Sequence, residues 1–103
     1  MELKPDVEAL FEFVGRREES YFEGYRPAHL VKENYLTTGI HSYYNIRKNA
    51  DGKVRGTITF ISPDEYPECL WVGKKLKMYE GRSIVGYATI TKIFNTVLQK
   101  PDK

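Results

Sequence analysis

"DVEALFEFVG", residues 6–15, is the stretch on which the fold turns. Val7, Ala9, Phe11 and Phe13 fall on one side of a strict alternation, and Glu8, Leu10, Glu12 and Val14 on the other. Period two marks a half-buried strand. Asp6 could cap a helix over "DVEALFEF", but two phenylalanines and Gly15 favour the strand.

Working outward, residues 1–5 read as a lead-in, with Pro5 just before the strand, and "GRREES" (15–20) as a polar turn. "HLVKENYLTTGIHSYYNI" (29–46) is rich in β-branched and aromatic residues and interrupted at Lys32–Asn34 and again at Gly39. It reads as two strands or one bent strand. Asp51-Gly52 is a hairpin signal. "VRGTITFISP" (54–63) alternates, with Val54, Gly56, Ile58 and Phe60 on one face, and Pro63 ends it. "DEYPE" (64–68) is a polar loop, and "CLWVG" (69–73) is short and apolar. "KLKMYEG" (75–81) sets Leu76 and Met78 against Lys75, Lys77 and Tyr79. "IVGYATITKIF" (84–94) sets Ile84, Gly86, Ala88 and Ile90 against Val85, Tyr87, Thr89 and Thr91. "NTVLQKPDK" (95–103) is polar and expected to fray.

Six or seven short strands with no long helical repeat predict an all-β antiparallel barrel or sandwich. Closing the sheet would remove its exposed edges. The 103 residues suffice for one domain, with a core at about residues 5–95 and a tail at 96–103.

Composition narrows the function classes. With 41% hydrophobic and 29% charged residues the chain is not of a disordered type. A net charge of +2 is too small to argue for nucleic acid by itself. The single Cys69 excludes an internal disulfide, fits a reducing, cytoplasmic setting, and is expected to be a small buried hydrophobe. "MELKPDVEAL" is not a signal peptide, and no apolar run approaches the roughly 18 residues of a membrane span.

Chemistry-bearing motifs are sparse. His29, His41 and Cys69 lack metal-ligand spacing, and no GxSxG-type arrangement occurs. Glu18-Glu19 and Asp64-Glu65 lie in polar turns. "GRSIVG" (81–86) opens like a phosphate loop but continues with Tyr87 and Ala88, without the lysine. The expectation is a protein with no enzymatic activity, no metal, no cofactor and no GTP site. Two basic groups remain: Arg47, Lys48, Lys53 and Arg55 around the Asp51-Gly52 turn, and Lys74, Lys75, Lys77 and Arg82. With Tyr43, Tyr44 and Tyr79 nearby, such groups can track a nucleic-acid backbone. They can equally be a solvated strand surface.

Four segments, "YFEGYRPAHLV" (21–31), "TTG" (37–39), "TITFISP" (57–63) and "YEGRSIVGYATITKIF" (79–94), carry a resemblance in order and spacing. Together they resemble the third, C-terminal domain of elongation factor Tu, from about residue 5 to 95. GYRP at 24–27 and EGxxxVG at 80–86 are the most specific matches. The resemblance implies a six-stranded antiparallel Greek-key barrel without an active site, which in that family packs on a second domain, meets the exchange factor and supports the T-stem side of tRNA. It implies structural roles for Gly24, Tyr25, Arg26, Pro27 and Gly86, with Arg26 anchoring a turn through hydrogen bonds. It places Thr38, Glu80 and Gly81 near tRNA. Ala28 stands where the family has a glutamine, Ser62 where it has a basic residue, and Tyr79 where it has an arginine, so the phosphate-contacting set is depleted. The resulting expectation is a stand-alone protein-binding module of accessory or immunity type. The alternative is an RNA-binding module using Thr38, Glu80, Gly81, Arg82, Arg47, Lys48, Lys74 and Lys75.

Overall fold

The computed structural model describes residues 4–14, 24–44 and 52–101. Six strands form a closed barrel: β1 (Val7–Phe13), β2 (Ala28–Lys32), β3 (Tyr35–Tyr43), β4 (Val54–Phe60), β5 (Lys75–Glu80) and β6 (Ser83–Ile93). The order around the barrel is β1-β4-β3-β2-β5-β6, with β6 returning to β1, and every neighbouring pair is antiparallel. β2, β3 and β4 run as a meander, and β5 returns to lie beside β2, which is Greek-key connectivity.

The alternation of the sequence becomes the inside and outside of the barrel. Val7, Ala9 and Phe11 of β1 are buried, as are Val54, Ile58 and Phe60 of β4, Leu76 and Met78 of β5, and Ala88 and Ile90 of β6. Burying each large apolar side chain contributes about 1.5–3 kcal/mol. Gly56 and Gly86 lie where a neighbouring strand crosses closely. A Cβ on Gly56 would meet the Ser42 carbonyl, and one on Gly86 the Glu12 carbonyl.

Three expectations need correction. β3 runs unbroken through Gly39, which makes room rather than a break: a Cβ there would stand 2.5 Å from Ile58 Cγ2 and 2.8 Å from His29 Cε1. The interruption before it is real, a turn at Glu33–Asn34 with Asn34 at φ 63°. In β6, Val85 is buried and Ile84 is 39% exposed, the reverse of simple alternation. The register explains this: Met78 faces Gly86 and Tyr79 faces Ile84, so Val85 is an extra residue that turns inward.

"CLWVG" forms no strand; Leu70 makes only an isolated parallel bridge to Gln99. The end expected to fray is docked as far as Lys100. Leu98 is fully buried in a short 3₁₀ turn, Thr96–Leu98, whose start is capped by the Asn95 side chain accepting from Val97 N at 3.1 Å. Leu70 N donates to Leu98 O at 2.9 Å, and Lys100 N to Leu70 O at 2.7 Å. Asp6 ties this end to the barrel. Its carboxylate accepts from Phe60 N at 2.7 Å and from Asn95 Nδ2 at 2.9 Å. The "GRREES" turn and Asp51 fall outside the described residues, while Gly52 stands at φ 82°, a backbone conformation that suits the glycine of a turn.

Candidate interaction face

Strand parity builds the outer face. His29 and Val31 point inward from β2, so Ala28 and Leu30 point outward; in β3 the inward Gly39, His41 and Tyr43 leave Leu36, Thr38 and Ile40 outward. The register sets Ala28 opposite Thr38 on one side and opposite Tyr79 on the other, and Tyr79 opposite Ile84. Thr38, Ala28, Tyr79 and Ile84 therefore form one row across four strands. The next row pairs Leu30 with Leu36, which is 48% exposed. A depression of about 740 Å³ opens here, with Leu30, Leu36 and Tyr79 in it, Glu33 and Asn34 at one turn and Gly81 and Arg82 at the other.

Of the sequence-derived site residues, Thr38, Glu80, Gly81 and Arg82 thus gather around one face. Gly81, at φ 61°, and Arg82 make the two-residue turn between Glu80 and Ser83. Glu80 serves the frame: its carboxylate accepts a hydrogen bond from the buried Tyr25 hydroxyl. The Gly24–Pro27 segment is stitched along β3 as well. Gly24 N donates to His41 O at 2.9 Å, His41 N to Tyr25 O at 2.8 Å, and Gly39 N to Pro27 O at 3.2 Å. Arg26 is exposed and makes no hydrogen bond or ion pair with the described residues. The anchor expected of Arg26 is supplied by Tyr25, whose ring reaches inward while the arginine alternates out.

The lysines do not join this face. Lys74 Nζ donates to Val31 O at 2.5 Å and to Cys69 O at 2.8 Å, and lies 4.5 Å from the Trp71 ring centroid. Burial pushes its pKa below the usual lysine range. It fills the seam where the β2–β5 ladder stops after two residue pairs, so the role expected of it as a nucleic-acid contact is corrected to a structural one. Lys75 is exposed, 3.8 Å from Glu12 and 4.9 Å from the Tyr87 ring centroid. It starts β5 while Glu80 ends it, roughly 17 Å away at the usual strand rise. Arg47 and Lys48 lie outside the described residues. Cys69 is buried, its thiol donating to Tyr66 O at 3.1 Å, and burial raises its pKa.

Spacing alone did not show that His29 and His41 meet inside the barrel. Their Nε2 atoms are 2.9 Å apart, and His41 Nδ1 lies 2.8 Å from the Tyr43 hydroxyl. Bare Gly39 lets the His29 ring lean across β3 towards His41. The available signal was parity, since each histidine sits on the inward side of its strand. Burial pushes the pKa of His29 down to about 4, and backbone groups of Thr37 and Pro27 oppose this without giving Nδ1 a hydrogen bond. Burial, then the neighbouring His29, holds His41 well below the usual histidine range. Both rings are neutral at pH 7.

Among the described residues no three His, Cys, Asp or Glu side chains group to hold a metal ion, and no helix is long and apolar enough to cross a membrane. Comparison with protein-family models, with curated proteins and with solved structures yields no match.

Proposed function

We propose that this barrel is a non-catalytic binding module, similar in kind to the C-terminal domain of elongation factor Tu, that takes a protein partner on the outer face of β2, β3 and the β5–β6 hairpin. An accessory or immunity-type role, acting on a partner that recognises the elongation factor, fits this reading. The observation that carries it is the composition of that face. Ala28, Leu30, Leu36, Tyr79 and Ile84 form a contiguous, mainly apolar surface where the resemblance assigns RNA contacts. Arg82 is the one cation lining its depression among the described residues. Phosphate binding draws on several free cations, whereas an apolar patch with a polar rim suits protein.

The test is affinity capture with the wild-type chain and Leu36→Glu as baits, both verified as folded by thermal melting. A protein retained by wild type and lost on the variant supports the reading. Retention of RNA in its place contradicts it.

A second reading, RNA binding, draws on one observation. Lys75 and Lys77 are exposed on β5, Lys77 pairs with Tyr87, and Lys75 stands over the Tyr87 ring. Such a basic–aromatic strip suits a nucleic-acid backbone. It requires a tRNA complex at low salt whose affinity falls steeply as salt is added.

A further inference from the structure

The surroundings of the His29–His41 pair suit neutral rings only. From β1, the Phe11 ring centroid lies 4.3 Å from that of His41. From β4, Phe60 stands edge-on to His29 at 5.6 Å, and Ile58 lies against Gly39 beside the same ring. From β5, Met78 is opposite His29. The titratable neighbours are Tyr43, with its hydroxyl 2.8 Å from His41 Nδ1, and Tyr25, edge-on to His41 at 5.5 Å. The Glu80 carboxylate accepts from the Tyr25 hydroxyl and the Asp6 carboxylate from Phe60 N. Among the described residues no carboxylate hydrogen-bonds to either histidine ring. A proton added to either ring would be a buried charge without a counter-ion, so proton uptake requires a ring to leave.

The strand that carries His29 is also the one most weakly laddered. β2 is five residues long and meets β5 through two residue pairs, Ala28–Tyr79 and His29–Met78. On its other side the pairing with β3 shifts between Leu30 and Lys32. β1, by contrast, pairs with β6 at every residue from Val7 to Phe13. Beyond His29, the Lys74 ammonium on Val31 O bridges the seam. Local opening is drawn from elements held by few such contacts.

We propose that the histidine pair is an acid latch on β2: proton uptake frees β2 before the other strands part, and takes Ala28 and Leu30 out of the docking face. The opening stands on the barrel alone, and its effect on docking rests on the protein-binding reading above. The freed strand takes up protons at the ordinary histidine pKa of 6.5, and the closed pair only well below it. The closed form therefore holds above pH 6.5, and the open form gains about tenfold per pH unit below it for each ring released.

The test is native-state amide exchange of the ¹⁵N-labelled chain at pH 7 and pH 5.5, corrected for intrinsic rates. Amides of residues 28–32 are expected to open more readily than those of 7–11 and 86–90, with little dependence on dilute urea. Their opening equilibrium is expected to rise about tenfold or more between the two pH values. His29→Leu/His41→Phe is expected to remove that rise. A protein held at pH 7 by wild type and lost on Leu36→Glu is expected to elute at pH 5.5. One opening equilibrium shared by β2, β1 and β6, a pH-independent opening of β2, or equal retention at both pH values overturns the proposal. Leu36-dependent capture at pH 7 beside a β2 that does not open separately removes this inference and leaves the proposed function standing.

Discussion

His29 Nε2 and His41 Nε2 lie 2.9 Å apart in the barrel interior, and one of the two neutral rings must donate to the other. His29 Nδ1 is buried without a hydrogen bond. A buried N–H without a partner is rarer in proteins than an under-used acceptor. This assigns the proton of His29 to Nε2, donating to His41, whose Nδ1–H then donates to the Tyr43 oxygen. Imidazole ¹⁵N shifts should show an Nε2–H tautomer for His29 and an Nδ1–H tautomer for His41. The opposite pair of tautomers contradicts the assignment.

The same pair makes the fold acid-sensitive. His29 has its folded-state pKa lowered from 6.5 to about 4, so the unfolded chain binds more protons between those values. Stability is fully present above about pH 6.5 and falls as pH drops towards 4, by about 3 kcal/mol from His29 alone. His41 acts in the same direction. Glu8, with its pKa lowered first by the Thr91 hydroxyl, extends the loss to lower pH. Urea denaturation at pH 7 and pH 4.5 should show a clear drop in midpoint. A His29→Leu/His41→Phe variant should flatten the dependence between them, and a flat wild-type profile contradicts the coupling.

Gly39→Ala tests the space that the histidine pair needs. The new methyl group would meet Ile58 and the His29 ring, and overpacking of this kind costs about 1–3 kcal/mol. Chemical denaturation should show that loss together with displaced His29 ring resonances. Unchanged stability would mean that the ring has room to move aside.

Lys74→Met leaves the Val31 and Cys69 carbonyls without the ammonium, at a cost on the order of 1–3 kcal/mol for each buried group left unpaired. Lys75→Gln removes only an exposed pair with Glu12 and should change stability by less than about 1 kcal/mol. Two thermal melts separate the lysines. Equal effects would contradict the division between a structural and a solvent-facing lysine.

Strand alternation made the barrel legible, because period two at Val7–Phe13 and at Val54–Phe60 is the barrel's inside and outside. It failed where one residue changes the count. The bulge at Val85 reverses Ile84, and nothing local in "SIVGY" distinguishes the two registers. Gly39 read as a break because a missing side chain looks the same whether it bends a strand or admits a ring from the next one. The docking of Leu98 against Leu70 depends on a pairing 29 residues distant at the adjoining bridge Leu70–Gln99, which no local pattern carries. Thr38, Glu80, Gly81 and Arg82 were singled out by resemblance; the register that places Ala28 between Thr38 and Tyr79 joins them to one face. Lys74 looked like its neighbours in sequence and was separated from them only by the open β2–β5 seam.

A hydrogen-exchange footprint of the captured partner on this barrel decides whether the face of β2, β3 and the β5–β6 hairpin is where the partner docks. Protection is expected over residues 28–30, 36–38 and 79–84, at the row formed by Thr38, Ala28, Tyr79 and Ile84, with little change near Trp71 and Lys75. A footprint confined to Lys75, Lys77 and Tyr87, with residues 28–38 unchanged, would contradict it.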